Sequence, residues 1–303
     1  MELFWYLVLM TMLAVYVILD GYDFGAGIIH LFFAKTEKDK KAITNAIGPF
    51  WDANEVWLIA SGGVLFFAFP TLYASSFSGF YLPLIMILWL LIFRAIGLEL
   101  RGQIHNSMWE TVWDKHLSIL DWFTILLGVI GVISLTIHGA NWIIFKTNSD
   151  LNQKLKRVIF NLNFVLLALI IISLFVWHVI EPQPFHNFIE NPWLWIFPII
   201  TFTGLFGLFK VKSFKKDGLG FLFSSLFLFG GLGTTVASIF PKVLPSTNTV
   251  NPSLTIYNVA ADSYGLSVGV YWFVIAVILV AIYMIIQYKV FKGKMDDVGY
   301  GEH

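Results

Sequence analysis

Residues 267–290 read SVGVYWFVIAVILVAIYMIIQYKV, and Lys289 is the single charged side chain among them. A helix needs about 20 largely apolar residues to cross the hydrocarbon core of a bilayer. Seven further stretches qualify by length and overall composition, namely residues 3–33, 50–72, 79–99, 119–145, 158–179, 192–210 and 219–240. The sequence therefore predicts an all-α fold, a polytopic membrane helix bundle with eight apparent spans.

The composition of the whole chain agrees with this class. Of the 303 residues, 58% are hydrophobic and 13% are charged, and the mean hydropathy is +0.77. A soluble domain carries about a quarter of charged residues. The 19 basic and 19 acidic side chains cancel, so no bulk positive field favours nucleic acid as a partner. Because every connection between spans is short, we expect one integral membrane domain over residues 1–303.

Lysine clusters predict the orientation, because short cytoplasmic loops of membrane proteins carry the excess of basic residues. Four lysines between residues 35 and 41 place the first loop inside, and therefore the N-terminus outside. The lysines of 210–216 and 289–294 agree with alternation from there.

Alternation fails once, between Arg101 and Lys146. Both belong to basic loops that favour the inside, yet one clear span, 119–145, separates them. By this count one membrane crossing is lacking. Two alternatives stay open: residues 104–118 form a re-entrant or interfacial segment, or the rule fails for one loop.

The first span contains two acids, in the sequence Asp20-Gly21-Tyr22-Asp23. An ionised group at mid-membrane costs about 2.5–3.5 kcal/mol on insertion scales, so such residues are candidates for function. A spacing of three places Asp20 and Asp23 on roughly one helix face. Two close carboxylates in a poorly hydrated place do not both ionise readily, which suits a proton relay. The alternative is a pair of hydrogen-bond acceptors at a helix break near Gly21.

The second span opens with further acids, in the segment GPFWDANEVW at residues 48–57. Pro49 is suited to the first turn of a helix, which places Asp52 in that turn and Glu55 three residues further on the same side. The helix dipole alone could explain Asp52. It explains less well why Asn54 and Glu55 enter the membrane beside it, so we interpret Asp52 and Glu55 as candidates for proton entry.

Arg94 and Glu99 interrupt the third apolar stretch. Arg94 either neutralises one of the acids or extends its side chain to the interface. The histidines His30, His138 and His178 lie in or beside spans, but no two have a recognisable spacing for haem ligands. We therefore expect them to be hydrogen-bonded structural residues, and no complete active site is visible in this chain.

Small and aromatic residues predict helix contacts and membrane interfaces. Small residues let membrane helices approach closely, and tryptophans near span ends are typical of the interface. The glycines concerned are Gly21, Gly25, Gly27, Gly128, Gly131, Gly204, Gly207, Gly230, Gly231 and Gly233. The tryptophans concerned are Trp5, Trp51, Trp142 and Trp193, for which buried packing is the alternative.

Five segments together make the chain recognisable. They are LDGYDFGAG (19–27), GPFWDANEVWLIASGGVLFFAFP (48–70), FSGFYLPLIMILWLLIFRAIGLELR (77–101), LTIHGANW (135–142), and FPKVLPS with NPSLTIYNVA (240–260). With these the sequence resembles the subunit II family of cytochrome bd quinol oxidases. The segments are spread over most of the chain, and the second is long and specific.

The resemblance implies a haem-free subunit that pairs with a similarly folded subunit I in the bacterial plasma (inner) membrane. Subunit I would hold haem b and haem d, and the complex would reduce O2 to water with electrons from quinol. Small accessory subunits and a bound quinone are further candidates as partners. By resemblance, a proton path from the cytoplasm would use Asp20, Asp23, Asp52, Glu55, Arg94 and Asp114.

The chain departs from the family pattern in one place. Family members usually have nine spans, with a further span and an outer loop between the Trp113-Asp114 element and the segment like DWFTILLG at 121–128. Here the two elements almost adjoin. A family span is therefore expected to be missing near 118–120, where the lysine pattern independently lacks a crossing.

Two other functions stay open at this point. Paired acids inside a membrane also suit a proton-coupled secondary transporter, although no inverted halves with broken helices are evident. The acids could alternatively cap helices in a purely structural assembly subunit.

Overall fold

The computed structural model describes residues 1–79, 122–180, 183–244 and 253–295, and nearly all of them are helical. The α-helices of these residues are α1 (Glu2–Phe32), α2 (Glu37–Ile47), α3 (Trp51–Ala68), α4 (Pro70–Gly79), α5 (Trp122–Lys146), α6 (Leu151–Ile180), α7 (Gln183–Glu190), α8 (Ile196–Leu208), α9 (Gly218–Ile239) and α10 (Ser263–Val290). Two short 3-10 helices, Pro192–Trp195 and Val211–Ser213, flank α8. One antiparallel pair, β1 (Lys242–Leu244) with β2 (Leu254–Thr255), lies between α9 and α10.

Among the described residues, five helices are long and apolar enough to cross a membrane, namely α1, α5, α6, α9 and α10. They confirm the spans predicted at 3–33, 119–145, 158–179, 219–240 and 267–290 within a few residues at most ends, although α6 begins seven residues before its predicted span. The predicted span at 192–210 corresponds to a shorter apolar helix, Pro192–Leu208. The predicted span at 79–99 lies almost wholly outside the described residues. The all-α membrane bundle is confirmed.

The span predicted at 50–72 is helical over Trp51–Ala68 and is broken only near its end, at Phe69. Helix α3 ends at Ala68, and α4 begins at Pro70 with a bend of 117°. Proline lacks an N–H and disfavours helical geometry in the residue before it, and Phe69 accordingly has φ −136° and ψ 61°. The apolar composition continues across the break, so composition alone does not detect it.

The basic segments meet at one end of the described bundle. The Lys146 ammonium at the end of α5 donates to the Phe291 carbonyl (2.7 Å), just after α10. Trp142 Nε1 donates to the Ala46 carbonyl (2.9 Å), at the end of α2. Helices α2, α5 and α10 therefore share one end with the lysines of 35–41, as cytoplasmic clustering of basic residues requires. The side of the membrane on which this end lies stays a prediction.

An ion cluster fastens the segment after α10 to this end. Asp217, directly before α9, accepts hydrogen bonds from Lys156 (3.2 Å) on α6 and from Lys294 (2.7 Å). Partial burial acts to raise the pKa of Asp217, but the two ammonium groups outweigh it and hold that pKa below its usual value. Lys294 also donates to the carbonyls of Ile144 and Thr147, so it stabilises the end of α5 as well.

Helix α1 lies at the centre of the described bundle, because it packs on α5 and α3 and also contacts α9. The closest approach is to α5, where Gly25 faces Gly139. A Cβ atom on Gly25 would overlap the Leu135 carbonyl oxygen, and one on Gly139 would overlap the backbone of Gly25 and Ala26. This approach sets the position of the two acids of α1 relative to α5 and α3.

Candidate functional site

The two acids of α1 are withdrawn from the surface of the described bundle. Asp20 is 6% exposed and is hydrogen-bonded to the Tyr16 side chain one turn earlier. Asp23 is half-buried, and its Oδ2 accepts a hydrogen bond from Asn54 Nδ2 (2.8 Å) on α3. Its Oδ1 is buried and has no hydrogen-bond partner among the described residues.

Asn54 is the residue that joins α3 to these acids. Its side chain is fully buried, and Nδ2 lies 2.8 Å from Asp23 Oδ2, 2.8 Å from the Tyr22 hydroxyl and 3.2 Å from the Leu19 carbonyl. The amide oxygen Oδ1 is also buried, without a partner in the described part of the chain. Asn54 therefore makes three contacts to α1 through one nitrogen and leaves an acceptor beside an acid.

A pair of tyrosines continues the polar contacts to α10. The Tyr22 and Tyr288 hydroxyl oxygens are 3.1 Å apart. The Tyr22 ring is fully buried and is stacked on Trp142 of α5, with ring centroids 4.0 Å apart. The hydrogen-bonded groups Asp23, Asn54, Tyr22 and Tyr288 thus connect α1, α3 and α10 inside the bundle.

The acids of α3 face outward in the described structure. Asp52 lies in the first turn of α3 and is exposed, as is Glu55. The residue at the N-cap is Phe50, without a side-chain capping bond, so Asp52 is not the cap of α3. Glu55 is close enough to Asp23 to interact electrostatically. Within the described ranges, no hydrogen bond or ion pair to Asp52 is found.

The acids are ordered along the membrane direction. Helix α1 ends and α3 begins at the lysine-rich end, because α2 connects them there. At about 1.5 Å per residue, Asp52 lies nearest to that end. Glu55 and Asp23 lie deeper, and Asp20 is one further turn into the span. From the lysine-rich end inward, the order is therefore Asp52, then Glu55 and Asp23, then Asp20.

The remaining predicted site residues, Arg94 and Asp114, lie outside the described residues. Their predicted part in a proton path stays a prediction.

His138 has the role expected of a structural histidine. Its ring is fully buried on α5. Nε2 donates to the Ile18 carbonyl (2.8 Å), since a carbonyl can only accept, and Nδ1 lies 2.8 Å from Ser224 Oγ on α9. Both ring nitrogens are therefore hydrogen-bonded to groups of this chain.

An apolar cleft of about 400 Å³ lies between α1, α3 and α10. Its walls include Trp57 and Phe67 on α3 and Trp272 on α10, and none of its lining side chains is ionisable. The cleft is therefore separate in chemistry from the acids of α1.

Sequence reasoning missed the part that tyrosines play here. Tyr22 lies between the two acids of α1 in the sequence, which is a local signal that it lies on the same turns of the helix, although side chains one and two residues apart do not face each other. Tyr288 carries no such signal, since it is 266 positions from Tyr22 in the chain. The sequence predicts that Asn54 is a polar residue within a membrane span, but nothing in the sequence predicts its contact with Asp23.

Comparison with known proteins finds relatives that match most of the chain. The chain is 27% identical to a probable cytochrome oxidase subunit 2 of Haemophilus influenzae, with 96% of this chain and 94% of the relative covered. It is 25% identical to the cytochrome bd-I ubiquinol oxidase subunit 2 of Escherichia coli K12 (99% and 97% covered). It is 27% identical to the cytochrome bd ubiquinol oxidase subunit 2 of Bacillus subtilis (87% and 88% covered).

The first two alignments span 357 and 366 positions, more than the 303 residues of this chain, so those relatives carry residues without a counterpart here. The family model for cytochrome bd terminal oxidase subunit II matches residues 1–119 and 115–291. The two matches overlap at residues 115–119, and the absence of a family span near 118–120 stays a prediction. With nearly its whole length matched, this chain belongs to the cytochrome bd terminal oxidase subunit II family.

Proposed function

We propose that the chain is the haem-free subunit of a cytochrome bd-type quinol oxidase. In this proposal it pairs with a haem-bearing subunit I in the bacterial plasma membrane and admits cytoplasmic protons for the reduction of O2 to water. Quinol and O2 react on the complex, and haem b and haem d belong to subunit I. The names of the relatives from Escherichia coli and Bacillus subtilis support the ubiquinol oxidase activity.

The observation that carries the proton role is the buried contact between Asp23 and Asn54, with Asp20 one turn deeper. A bilayer penalises such acids by about 2.5–3.5 kcal/mol each when ionised, so they are retained at a cost to stability. Asp52 and Glu55 provide acids between the lysine-rich end and this contact. Arg94 and Asp114 complete the proposed path by resemblance.

The structural role of His138 and the apolar lining of the cleft are consistent with haems on the partner. Every acid that the proposal uses exchanges protons, whereas Arg94 keeps its positive charge, and none of these groups needs to bind a metal. A quinone bound to this subunit is not assigned to any of its residues, and accessory subunits are not assigned to any surface.

Replacing Asp23 in the assembled oxidase tests the proposal. We expect Asp23→Asn to lower quinol oxidase turnover and proton uptake together by at least tenfold, because an amide cannot take up and release the proton. Asp52→Asn, nearer to the entrance, is expected to have a smaller effect in the same direction. The measurements are oxygen consumption and proton uptake by vesicles containing the complex.

Asp150→Asn is the control, since Asp150 is an exposed acid at the lysine-rich end, outside the series. It should leave both rates unchanged. If Asp23→Asn assembles with normal haem absorption and keeps normal turnover and proton uptake, the proton role is wrong and a purely structural subunit remains. A purified chain that transports a solute and carries no haem-bearing partner would instead favour the transporter.

A further inference from the structure

The contact between Asp23 and Asn54 has more acceptors than donors. Asn54 Nδ2 is already directed at Asp23 Oδ2 (2.8 Å), which satisfies one oxygen of the carboxyl group. The second oxygen, Asp23 Oδ1, and the amide oxygen, Asn54 Oδ1, are both buried without a partner among the described residues. These two orphaned oxygens belong to the two planar groups that the 2.8 Å bond joins.

An ionised Asp23 would worsen this imbalance. A carboxylate only accepts hydrogen bonds, so Asp23 Oδ1 and Asn54 Oδ1 would both stay unsatisfied, and buried acceptors of that kind are rare in proteins. The ionisable groups that act on Asp23 are Asp20 on its own helix, Glu55 on α3, and the hydroxyls of Tyr22 and Tyr288. No cation of the described residues is among them.

A protonated Asp23 satisfies both oxygens at once. The protonated carboxyl group has one O–H donor, and the amide oxygen of Asn54 is an acceptor on the group to which Asp23 is already bonded. An acid and an amide that face one another form two antiparallel hydrogen bonds, N–H to one carboxyl oxygen and O–H to the amide oxygen. That pairing requires the amide at this position, because Asn54 supplies both a donor and an acceptor.

We propose that Asp23 carries a proton in the resting protein and that Asn54 holds the carboxyl group as a cyclic acid–amide pair. Nδ2 of Asn54 donates to Asp23 Oδ2, and Asp23 Oδ1–H donates to Asn54 Oδ1. Asn54 is then a positioning residue for the proton-bearing acid. The inference rests on the proposed proton role, and it specifies which of the two acids of α1 stores the proton.

Infrared difference spectroscopy of the purified oxidase complex tests the pair directly. We expect the difference between the wild-type protein and Asp23→Asn at neutral pH to contain the C=O stretching band of a protonated carboxyl group. We expect Asn54→Leu to shift that band to higher wavenumber, because the carbonyl then loses its hydrogen bond. Absence of the band, or a band that Asn54→Leu leaves unmoved, overturns the proposal.

Asn163→Leu is the matched control. Asn163 is also a fully buried asparagine whose Nδ2 donates to a carbonyl, that of Leu205 (3.0 Å), and whose Oδ1 is buried without a partner in the described structure. Among the described residues no hydrogen bond joins it to an acid, so its replacement should leave the Asp23 band in place. A shift of equal size in Asn163→Leu would show that the band responds to general loosening, and it would overturn the specific pairing.

The exchanged double variant, Asp23→Asn with Asn54→Asp, covers the case in which Asn54→Leu does not assemble. It rebuilds an acid and an amide at the same two positions with their roles reversed. We expect it to restore a hydrogen-bonded carboxyl band and to assemble better than either single variant. A double variant no better than the single ones contradicts the pair.

The infrared spectra test the acid–amide pair and the turnover assay tests the proton path, so each proposal can be refuted without the other. A wild-type Asp23 band that responds to Asn54→Leu, with normal proton uptake in Asp23→Asn, would leave the acid–amide pair intact and refute the proton path. Loss of proton uptake in Asp23→Asn without a carboxyl band in the wild type would do the reverse.

Discussion

His138 is a fully buried side chain of α5 with hydrogen bonds from both ring nitrogens. Its two ring nitrogens are bonded to Ile18 on α1 and Ser224 on α9, so the ring joins three helices. The sequence predicted a hydrogen-bonded histidine, and the two hydrogen bonds of His138 confirm that part of the prediction. Where haem is bound within the complex stays a proposal.

Replacing His138 separates a structural role from a role as a haem ligand. His138→Phe keeps a ring against Phe221, on which the imidazole is stacked with centroids 4.8 Å apart, and removes both hydrogen bonds. We expect a loss of about 1–3 kcal/mol in the free energy of unfolding, at about 0.5–1.5 kcal/mol for each bond. We expect the haem absorption of the folded complex to be unchanged. Thermal unfolding and visible spectra measure the two quantities, and a lost or shifted haem band would make His138 a ligand.

Tryptophan positions were predicted with mixed success. Trp51 and Trp193 are exposed near helix ends, as expected for interfacial residues, whereas Trp5 and Trp142 are 2% and 1% exposed. Trp5 Nε1 donates to the Leu266 carbonyl and Trp142 Nε1 to the Ala46 carbonyl. The position of a tryptophan near a span end does not distinguish an exposed from a buried side chain. Whether it faces lipid or a neighbouring helix depends on which helix packs beside it.

At the scale of helices, the sequence likewise does not show which glycines lie at a helix contact. Gly25 and Gly139 lie where α1 and α5 cross, and Gly204 lies where α8 meets α9. In contrast, Gly27, Gly128, Gly131 and Gly231 have no neighbouring atom within 4 Å of a Cβ position. The packing prediction is therefore confirmed for Gly21, Gly25, Gly204, Gly207, Gly230 and Gly233 and is wrong, within the described structure, for the other four.

Two glycines of one helix provide a controlled test of the α1–α5 crossing. Gly25→Ala places a Cβ against the Leu135 carbonyl, and because backbone atoms cannot rotate away, we expect a loss of about 1–3 kcal/mol or more. Gly27→Ala meets nothing within 4 Å and should be neutral or slightly stabilising, since alanine favours helix over glycine by about 1 kcal/mol. Thermal unfolding of the two purified variants measures the difference. Equal stability would contradict the close crossing.

Helix α10 is held mainly at its ends in the described structure. Near its start, Trp5 donates to the Leu266 carbonyl, and near its end, Gln287 Nε2 donates to the Pro49 carbonyl (2.6 Å). Tyr288 adds the contact with Tyr22, and the apolar cleft separates the middle of α10 from α3. The hydrogen bonds at the lysine-rich end of α10 therefore determine where Tyr288 lies relative to the acids.

For the molecule as a whole, the basic residues and the acids follow one order along the membrane direction. The segments with clustered lysines lie at one end, and Asp52, Glu55, Asp23 and Asp20 follow from that end into the bundle. If that end is cytoplasmic, as the lysines predict, the proposed proton path opens to the cytoplasm.

Labelling in cells tests this orientation. The chain contains no cysteine, so a single introduced thiol reports one position. We expect Lys38→Cys to react with a membrane-impermeant maleimide only after the cells are opened. Tyr257→Cys, an exposed position at the opposite end of the bundle, should react in intact cells. The reverse pattern would invert the predicted topology and place the acids at the wrong side for cytoplasmic uptake.

The sequence by itself determined the class of the protein, most of its membrane helices and the presence of acids within them. These properties depend on local composition and length, since a bilayer selects apolar segments of about 20 residues and penalises charge wherever it occurs. The break before Pro70 was the local exception, where the backbone chemistry of one residue prevailed over composition.

Tertiary structure alone decided which polar groups meet. Asn54 is 31 positions from Asp23, and Tyr288 is 266 positions from Tyr22, yet they form one set of contacts. Apolar periodicity cannot predict such pairs, because all faces of a membrane helix are similarly apolar and helix partners are chosen by close packing, as at Gly25 and Gly139.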